Sequence, residues 1–343
     1  MKDRLVQYLA CPVCGGDVAL ACVAAAAERR GWREVLTGEL ACAACARRYA
    51  VTRGVPRFVS AQAITPEKAA TAAGFGWQWQ HFTQHDERYA AQLRAWLAPV
   101  EPEFFHGKVV LEGGCGKGRH TRLAAEWGAR DVVGIELSAA VETAYSATRD
   151  IERAHVVQAD IYQLPVKRAF DYAFSVGVLH HLPDPRAGFR ALAAKVRPGG
   201  HLSAWVYGAE NNGWIVRLVS PVRERVTSRI SPRALLHLSK LPAAVMYAAT
   251  KLVYGPVGRT EFGRRAIVPR LFYGDYLAAI APFGWREQHT IVFDHLVAPV
   301  AFYISRAEFA DWWRELDAEG VTIGWHNRNS WRGFGRMKER DEG

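Results

Sequence analysis

The chain has 343 residues, of which 50% are hydrophobic and 23% are charged, so it can bury a sizeable core and is not disordered. At roughly 150 residues per domain, this length favours two domains. Cys11-Pro12 follows the charged start of the chain and interrupts any signal-peptide core, and no apolar run reaches the roughly 18 residues that cross a bilayer. These features disfavour secreted and membrane-spanning proteins and predict a cytoplasmic protein with reduced cysteines.

The net charge of +10 is concentrated in two segments. Residues 1–60 carry +4 and residues 208–280 carry +7, while the rest of the chain is close to neutral. A basic segment can simply keep the surface soluble, or it can face an anionic partner such as a phosphate, a nucleic acid or a lipid headgroup. Charge alone leaves both interpretations open.

The amino-terminal segment contains two C-x2-C pairs, Cys11 with Cys14 and Cys42 with Cys45. Two such pairs place four thiolates at the corners of a tetrahedron, the geometry that structural zinc prefers, and metal binding would stabilise a segment with little core of its own. Redox chemistry and chance pairing are the alternatives. Cys22 lies in an apolar stretch and is predicted to be a buried thiol.

The sequence Cys-Pro-Val-Cys-Gly-Gly at 11–16, together with residues 48–58, resembles the small zinc-ribbon family of methyltransferase activators. The resemblance covers residues 1–60. It implies a purely structural metal and no catalysis in this segment. The segment could also contact RNA or a partner protein.

The centre of the chain contains a β-branched run, Val109–Glu112, that enters a glycine-rich turn at 113–118 and then a helix from Arg119. A strand, glycine turn and helix in this order allow backbone N–H groups to approach a ligand closely. The dinucleotide-binding fingerprint is not met, because Arg119 stands where its last glycine belongs. The pattern E-x-G-x-G-x-G instead resembles the cofactor loop of class I S-adenosylmethionine-dependent methyltransferases.

Further strand signals at 131–136, 156–161, 170–176 and 201–207 alternate with helices, and their order matches that family over about residues 105–207. Alternation of this kind predicts an α/β fold with a doubly wound, mostly parallel, seven-stranded sheet of the Rossmann-like methyltransferase type. A closing antiparallel pair at 321–326 and 330–335 would complete the sheet.

The resemblance implies a set of cofactor-binding residues. A first group wraps the methionine moiety, one acid holds the ribose, a second acid and the next backbone group read the adenine, and two residues of the fourth strand face the amino end of the cofactor. The residues around the methionine moiety are Glu112, Gly114, Gly116 and Gly118, and the ribose acid is Glu136. The adenine residues are Asp160 and Ile161, and the fourth-strand residues are Ser175 and Val176. Trp79, in an aromatic segment before the first core strand, is predicted either to close over the cofactor or to pack in the core.

Methyl transfer from a sulfonium is an in-line displacement, so the enzyme mainly aligns donor and acceptor. An acceptor that loses a proton also needs a base within hydrogen-bond reach. The candidate catalytic residues are His180 and His181, after the fourth strand, and Asp294 and His295, near the end of the basic segment. A structural role is equally open for both pairs.

After the fifth core strand the alternation stops, and amphipathic stretches predict a mainly helical, basic lid inserted into the core. Ser305 is predicted to cap a helix that runs through two tryptophans. The predicted organisation is a zinc ribbon at 1–60, a linker and helices at 61–104, the cofactor-binding core at 105–207, the lid at 208–300, and a helix and hairpin at 301–338. Residues 336–343 are expected to form a frayed, charged tail.

These features predict an S-adenosylmethionine-dependent methyltransferase with a structural zinc, acting on a small or medium-sized, anionic acceptor of specialised or cell-envelope metabolism. One alternative is an RNA methyltransferase that uses the ribbon and lid for phosphate contacts. It is less favoured, because no Asn-Pro-Pro-Tyr-like motif follows the fourth strand. Another is a catalytically inactive scaffold that binds cofactor. Peripheral membrane contact and a protein partner at the ribbon also stay open.

Overall fold

A computed structural model describes residues 1–59, 64–84 and 86–339 of the protein. Residues 61–63 of the expected linker and residues 340–343 of the expected tail lie outside the described residues. The described strands form two sheets, one of four strands and one of seven.

The four-stranded sheet is antiparallel and built almost entirely from local hairpins. Its strands, in spatial as well as chain order, are β1 (Val18–Arg29), β2 (Trp32–Cys42), β3 (Arg48–Thr52) and β4 (Val55–Pro56). The cysteine pairs lie at one end of this sheet. The expectation that Cys22 is buried is wrong: Cys22 lies on the outer strand β1 opposite Glu39 and is exposed.

The seven-stranded sheet has the order β10-β11-β9-β8-β5-β6-β7. Strands β5 to β9 are mutually parallel, and β11 runs antiparallel to β9. The bounds are β5 (Val109–Gly113), β6 (Asp131–Glu136), β7 (Ala154–Gln158), β8 (Phe170–Val176), β9 (Val196–Tyr207), β10 (Glu319–His326) and β11 (Ser330–Arg336). The predicted fold class, including its closing hairpin, is confirmed.

Strand β9 begins earlier than the sequence pattern predicts. Pro198 and the two glycines after it precede the predicted strand at 201–207, yet they lie within Val196–Tyr207. The register with β8 shifts between the pairs Phe170↔Val196 and Tyr172↔His201, so the extra residues form a bulge. Gly199 adopts φ +72°, a conformation that glycine accepts without strain.

Helices cover the core sheet and build the lid. Those before and between the core strands are α1 (Pro66–His81), α2 (Arg88–Leu97), α3 (Arg119–Glu126), α4 (Val141–Thr148) and α5 (Pro185–Ala193). The lid contains α6 (Ser220–Arg225), α7 (Pro232–Leu238), α8 (Lys240–Ala249), α9 (Gly255–Arg259), α10 (Gly274–Ile280) and α11 (Trp285–Val297), and α12 (Arg306–Glu315) follows it. Within the described ranges, no helix is both long and apolar enough to cross a membrane.

The four-stranded sheet is fastened to the core by a buried polar cluster around Asp131, at the start of β6. The Asp131 carboxylate accepts hydrogen bonds from the Tyr8 hydroxyl at 2.6 Å and from His155 Nε2 at 3.0 Å, and it pairs with Arg4 Nε at 2.9 Å. The chain after β4 adds to the free edge of β7, where Arg57 bridges to Gln158 in parallel register. Two separate contacts therefore hold this sheet against β6 and β7.

The direction of chain progression reverses between β5 and β8, the neighbours at the centre of the parallel sheet. Loops that leave the carboxyl ends of two such strands turn to opposite faces of the sheet and open a crevice. The glycine-rich turn follows β5, and the His180-His181 segment follows β8. The topology therefore brings these two predicted elements to one place.

Candidate active site

The glycine-rich turn depends on glycine for its backbone conformation. Gly114, Gly116 and Gly118 have φ angles of +80°, +52° and +79°. A Cβ at Gly114 would lie 2.4 Å from the Val178 side chain, and one at Gly116 would lie 3.1 Å from the Trp79 indole nitrogen. The turn can therefore present its backbone to a ligand because these positions carry no side chain.

Two carboxylates at the ends of neighbouring strands border the cavity above this turn. Glu136 accepts hydrogen bonds from the backbone N–H groups of Gly116 at 2.9 Å and Ser138 at 2.8 Å. Asp160 accepts one from the Tyr162 N–H at 2.9 Å and forms an ion pair with Lys68. Both acids line one cavity of about 140 Å³, whose wall also contains Ile161 and Val176.

Three of the predicted cofactor residues are absent from that wall. Ser175 donates a hydrogen bond to the Gly113 carbonyl at 2.8 Å, beneath the turn. Glu112 is 1% exposed and contacts Thr121 and His120. Burial raises the pKa of Glu112 to about 8, because little solvent is left to stabilise its charge. Gly118 is the third of these residues, and the direct contact of all three with a cofactor stays a prediction.

Helix α1 forms the roof of this cavity. Lys68, Thr71, Ala72, Phe75 and Trp79 all line it, and their spacing places them on one face of the helix. The sequence analysis singled out Trp79 but missed Lys68, whose ammonium group also lies 4.0 Å from the centre of the Tyr162 ring. A helical reading of residues 68–79 would have found the face, although not the partner of Lys68.

A second and larger cavity opens beside the first. Its volume is about 510 Å³. We call the first cavity, which most of the predicted cofactor residues line, the cofactor cavity. The two cavities share Trp79, Arg119, Val176, Gly177 and Asp294. Aromatic side chains make up much of the wall of the second cavity: Trp79, Trp96, Trp205, Tyr207, Tyr273, Tyr276, Phe283 and Tyr303. We call it the acceptor chamber, since a group held there borders the cofactor cavity directly.

Asp294 stands where the two cavities meet. Its carboxylate accepts hydrogen bonds from Gln78 Nε2 at 3.0 Å and from the Tyr207 hydroxyl at 3.2 Å. Burial raises the pKa of the Asp294 carboxyl, although His295 and the two hydrogen bonds oppose the shift. A carboxylate with a raised pKa is a stronger proton acceptor than an ordinary one. The sequence analysis named Asp294 and missed Gln78 and Tyr207, which orient it.

His295 lies in the chamber wall next to Asp294, with its ring stacked on Tyr207 at a centroid distance of 5.4 Å. Its buried Nδ1 atom and the Oε1 atom of Gln92, which lines the same chamber, have no hydrogen-bond partner within the described residues. Buried polar atoms are rarely left unpaired in native proteins. Both atoms are therefore available to a ligand.

The histidines after β8 occupy different positions. His181 lines the cofactor cavity, and its Nδ1 lies 2.8 Å from the Val300 carbonyl, to which it donates. Burial lowers the pKa of His181 to about 4, so the ring is neutral near pH 7, and its Nε2, which has no partner among the described residues, can accept a hydrogen bond. His180 lies deeper and packs on Tyr207 with a centroid distance of 3.8 Å. His180 lines neither of the two cavities described above.

The four predicted ligand cysteines come together in space. The sulfur atoms of Cys11, Cys14, Cys42 and Cys45 all lie within 4.8 Å of one another. The Cys11–Cys45 and Cys14–Cys42 sulfur distances are 3.7 and 3.5 Å. A tetrahedral site with Zn–S bonds of about 2.3 Å separates its sulfurs by about 3.8 Å. The geometry of the cluster fits such a site.

Comparison with known protein families divides the chain in the same way. Residues 111–204 match the family model described as a methyltransferase domain, and residues 2–54 match that of Trm112p-like proteins. The chain combines a methyltransferase domain with a Trm112p-like domain. The predicted resemblances are thereby confirmed. The glycine turn, the two strand-end carboxylates and the adjoining cavity fit S-adenosylmethionine, the cofactor that this domain implies.

Curated relatives match about a third of this chain. The tRNA U34 carboxymethyltransferase of Pseudoalteromonas translucida (strain TAC 125) is 33% identical over 129 residues, which are 37% of this chain and 35% of the relative. The enzyme of the same name from Pseudoalteromonas atlantica is 35% identical over 108 residues, 30% of this chain and 33% of the relative. The chain thus spans about a third of the length of these relatives.

A solved complex that contains the Haloferax volcanii Trm112 methyltransferase activator also resembles this chain. The sequence identity is 14% and the TM-score is 0.44, and the likeness covers 78% of this chain and 98% of the matched one.

These findings correct two predictions. The sequence analysis favoured a small or medium-sized, anionic acceptor and disfavoured nucleic acid as a partner. Both predictions are wrong on the evidence of the curated relatives, which are named for a tRNA acceptor. An enclosed chamber and a basic lid suit one unit of an anionic polymer as well as they suit a free small molecule, so the sequence pattern could not separate the two.

Proposed function

We propose that the protein is an S-adenosylmethionine-dependent methyltransferase that modifies a nucleoside of an RNA of the tRNA class. The observation that carries the proposal is the similarity of about a third of this chain to tRNA U34 carboxymethyltransferases. The acceptor chamber supports it. Aromatic walls offer stacking faces to a base removed from its own stack, and unpaired polar atoms offer hydrogen bonds to the base edge.

The chemistry follows from the position of the two cavities. S-adenosylmethionine, when bound, supplies a methyl group on a positively charged sulfur. Glu136, Asp160 and the glycine-rich turn would hold this cofactor, which would give its methyl group to an acceptor atom and leave as S-adenosylhomocysteine. If the acceptor carries a proton, Asp294 receives it, since this carboxylate borders both cavities. Gln78 and Tyr207 hold the carboxylate in place.

The test is methyl transfer from labelled S-adenosylmethionine to a total tRNA pool, followed by mass spectrometry of the released nucleosides. We expect label in one nucleoside class, whose mass increases by one methyl group in place of a hydrogen. No transfer to any RNA under conditions where the protein binds the cofactor would overturn the proposal.

A substitution tests the role of Asp294 within that assay. Asp294→Asn keeps the shape of the side chain but weakens its basicity, so we expect kcat to fall roughly 10²- to 10⁴-fold with little change in cofactor affinity. The matched control is Asp311→Asn on α12, which removes a partly exposed carboxylate paired with Arg314. An unchanged kcat in Asp294→Asn would remove Asp294 from the proposed proton transfer.

We also propose that the four cysteines hold a structural zinc. The sulfur distances support it. So does the attachment of the surrounding sheet to two core strands, β6, which ends at Glu136, and β7, which lies just before Asp160. Elemental analysis is expected to give one zinc per chain, and Cys14→Ser is expected to lose the metal and to lower stability. A fully folded, metal-free protein would contradict this proposal.

A further inference from the structure

A third cavity, of about 650 Å³, continues outward from the acceptor chamber. The two cavities have Arg88, Ala279, Pro282 and Asn327 in common, so they adjoin each other. The outer cavity lies between α2, the α8–α9 region and α10, and we call it the basic groove. Its charged lining residues are Arg88, Lys251, Arg259, Arg264 and Asp275.

The positive charge of the basic groove is poorly neutralised. Arg259 and Arg264 are exposed, and neither takes part in an ion pair within the described ranges. The carboxylate of Asp275 lies 3.6 Å from Nε of Arg328, an arginine that does not line the groove. Arg88 pairs with Asp86 at 3.0 Å, which leaves Lys251, Arg259 and Arg264 as the groove cations without an ion pair within the described residues.

The four cations are close to one another because they line the same cavity. Burial lowers the pKa of Lys251, and the positive charges of Arg88 and Arg259 lower it further. Lys251 is held in place by the carbonyls of Ala281 and Phe283, to which its Nζ donates at 2.5 and 2.9 Å. Like charges gathered in this way repel one another unless an anion neutralises them.

We propose that the basic groove binds the phosphate backbone of a single-stranded RNA segment whose base occupies the acceptor chamber. The inference rests on the proposed function, and it adds how the protein holds the RNA next to the acceptor chamber. A duplex cannot place a base in a cavity without unpairing it, so the bound segment is an unpaired loop. Lys251, Arg259 and Arg264 contact successive phosphates on the way out of the chamber.

The expected effect follows from counterion release. For single strands, each neutralised phosphate contributes about −0.7 to the slope of log affinity against log salt. Loss of two contacts in Arg259→Gln/Arg264→Gln should therefore reduce the steepness of the slope by about 1.4. If the wild-type protein and the variant bind RNA equally at about 1 M salt, the variant should bind roughly 25-fold more weakly than the wild type at about 0.1 M salt.

The experiment measures fluorescence anisotropy of a labelled RNA stem-loop with the full-length protein over a salt series. Arg229→Gln/Arg233→Gln is the matched control, because both arginines are exposed in the lid and line none of the three cavities. We expect the groove variant to show the reduced slope and a raised KM for RNA, whereas the control keeps the wild-type values. Circular dichroism and cofactor affinity verify that each variant is folded.

Several outcomes would overturn the inference. A groove variant with the wild-type salt slope, or a control variant with an equal loss, would show that the groove is not the backbone site. Loss of binding to phosphatidylglycerol vesicles with unchanged RNA binding would assign the groove to a lipid surface instead. If the wild-type protein methylates the tRNA pool, such results reject the groove alone; if it methylates no RNA, the proposed function itself fails.

Discussion

The hydroxyl of Tyr8 is expected to contribute measurably to stability, because it joins the Trm112p-like domain to a buried carboxylate of the methyltransferase domain. The Tyr8–Asp131 hydrogen bond is 2.6 Å long, and Asp131 has no exposed surface. A hydrogen bond to a charged group contributes about 1.5–3 kcal/mol. In Tyr8→Phe the carboxylate keeps His155 and Arg4 as partners, so we expect a loss of about 2 kcal/mol rather than the full cost of an unpaired charge.

The measurement is urea unfolding of Tyr8→Phe, Asp131→Asn and the double variant, followed by fluorescence and by circular dichroism. Asp131→Asn removes the charge that all three partners share, and we expect a loss of about 2–4 kcal/mol. Because the two residues are in contact, the double variant should lose about 1–2 kcal/mol less than the sum of the single losses. Coincident transitions in both signals are needed before these values are compared.

Acid dependence provides a second signature of the same cluster. Burial alone raises the pKa of Asp131, but the hydrogen bonds from His155 and Tyr8 outweigh it and leave the pKa below its ordinary value. The resulting stability is present above about pH 4 and is lost as the pH falls through the folded-state pKa. Asp131→Asn should lack this part of the acid loss.

The control is Tyr247→Phe, whose hydroxyl makes no hydrogen bond to any part of the chain that the structure describes. It should change the free energy of unfolding by less than about 0.5 kcal/mol. A Tyr8→Phe loss equally small, or strict additivity in the double variant, would refute the coupling of the two domains through Asp131.

Three further predictions concern single sites. Gly114→Ala should weaken cofactor binding about tenfold or more in calorimetry, because the φ of +80° is unfavourable for alanine and the new Cβ would lie 2.4 Å from Val178; wild-type affinity would contradict the role of the turn. Ser305→Ala should cost about 1 kcal/mol in urea unfolding, since its hydroxyl accepts a hydrogen bond from the Glu308 N–H at 3.1 Å, and no loss would show that the cap is dispensable. His181→Ala should keep the shape of the pH–rate profile between pH 5 and 8, because burial lowers the pKa of His181 to about 4; a lost inflection near pH 6.5 would instead make it a titrating base.

Much of the cofactor site could be predicted because its parts are local in sequence. The three glycines lie within five residues of one another, between one strand and one helix, and each strand-end acid lies within three residues of a β-branched residue of its strand. In a parallel sheet, the carboxyl ends of strands share one edge, so a correct strand assignment already gathers these residues. Glu136 and Asp160 accordingly line the same cavity.

The acceptor side could not be predicted in the same way. Asp294 is held by Gln78, 216 positions earlier, and by Tyr207, 87 positions earlier. Nothing in the local pattern of residues 292–295 indicates these partners. The identity of the acceptor was mispredicted for a related reason, because charge and apolar content describe the lid but not which of its side chains face a cavity.

The sequence by itself determined that a four-cysteine domain precedes a methyltransferase domain, since ligand spacing and the strand–glycine–helix unit are short-range patterns with a direct physical meaning. Only the tertiary structure decided that Cys22 is exposed, that Lys68 pairs with Asp160, and that the basic groove adjoins the acceptor chamber. These features depend on packing between elements far apart in the chain. Side-chain direction and burial at such contacts arise from the whole fold, and no local pattern encodes them.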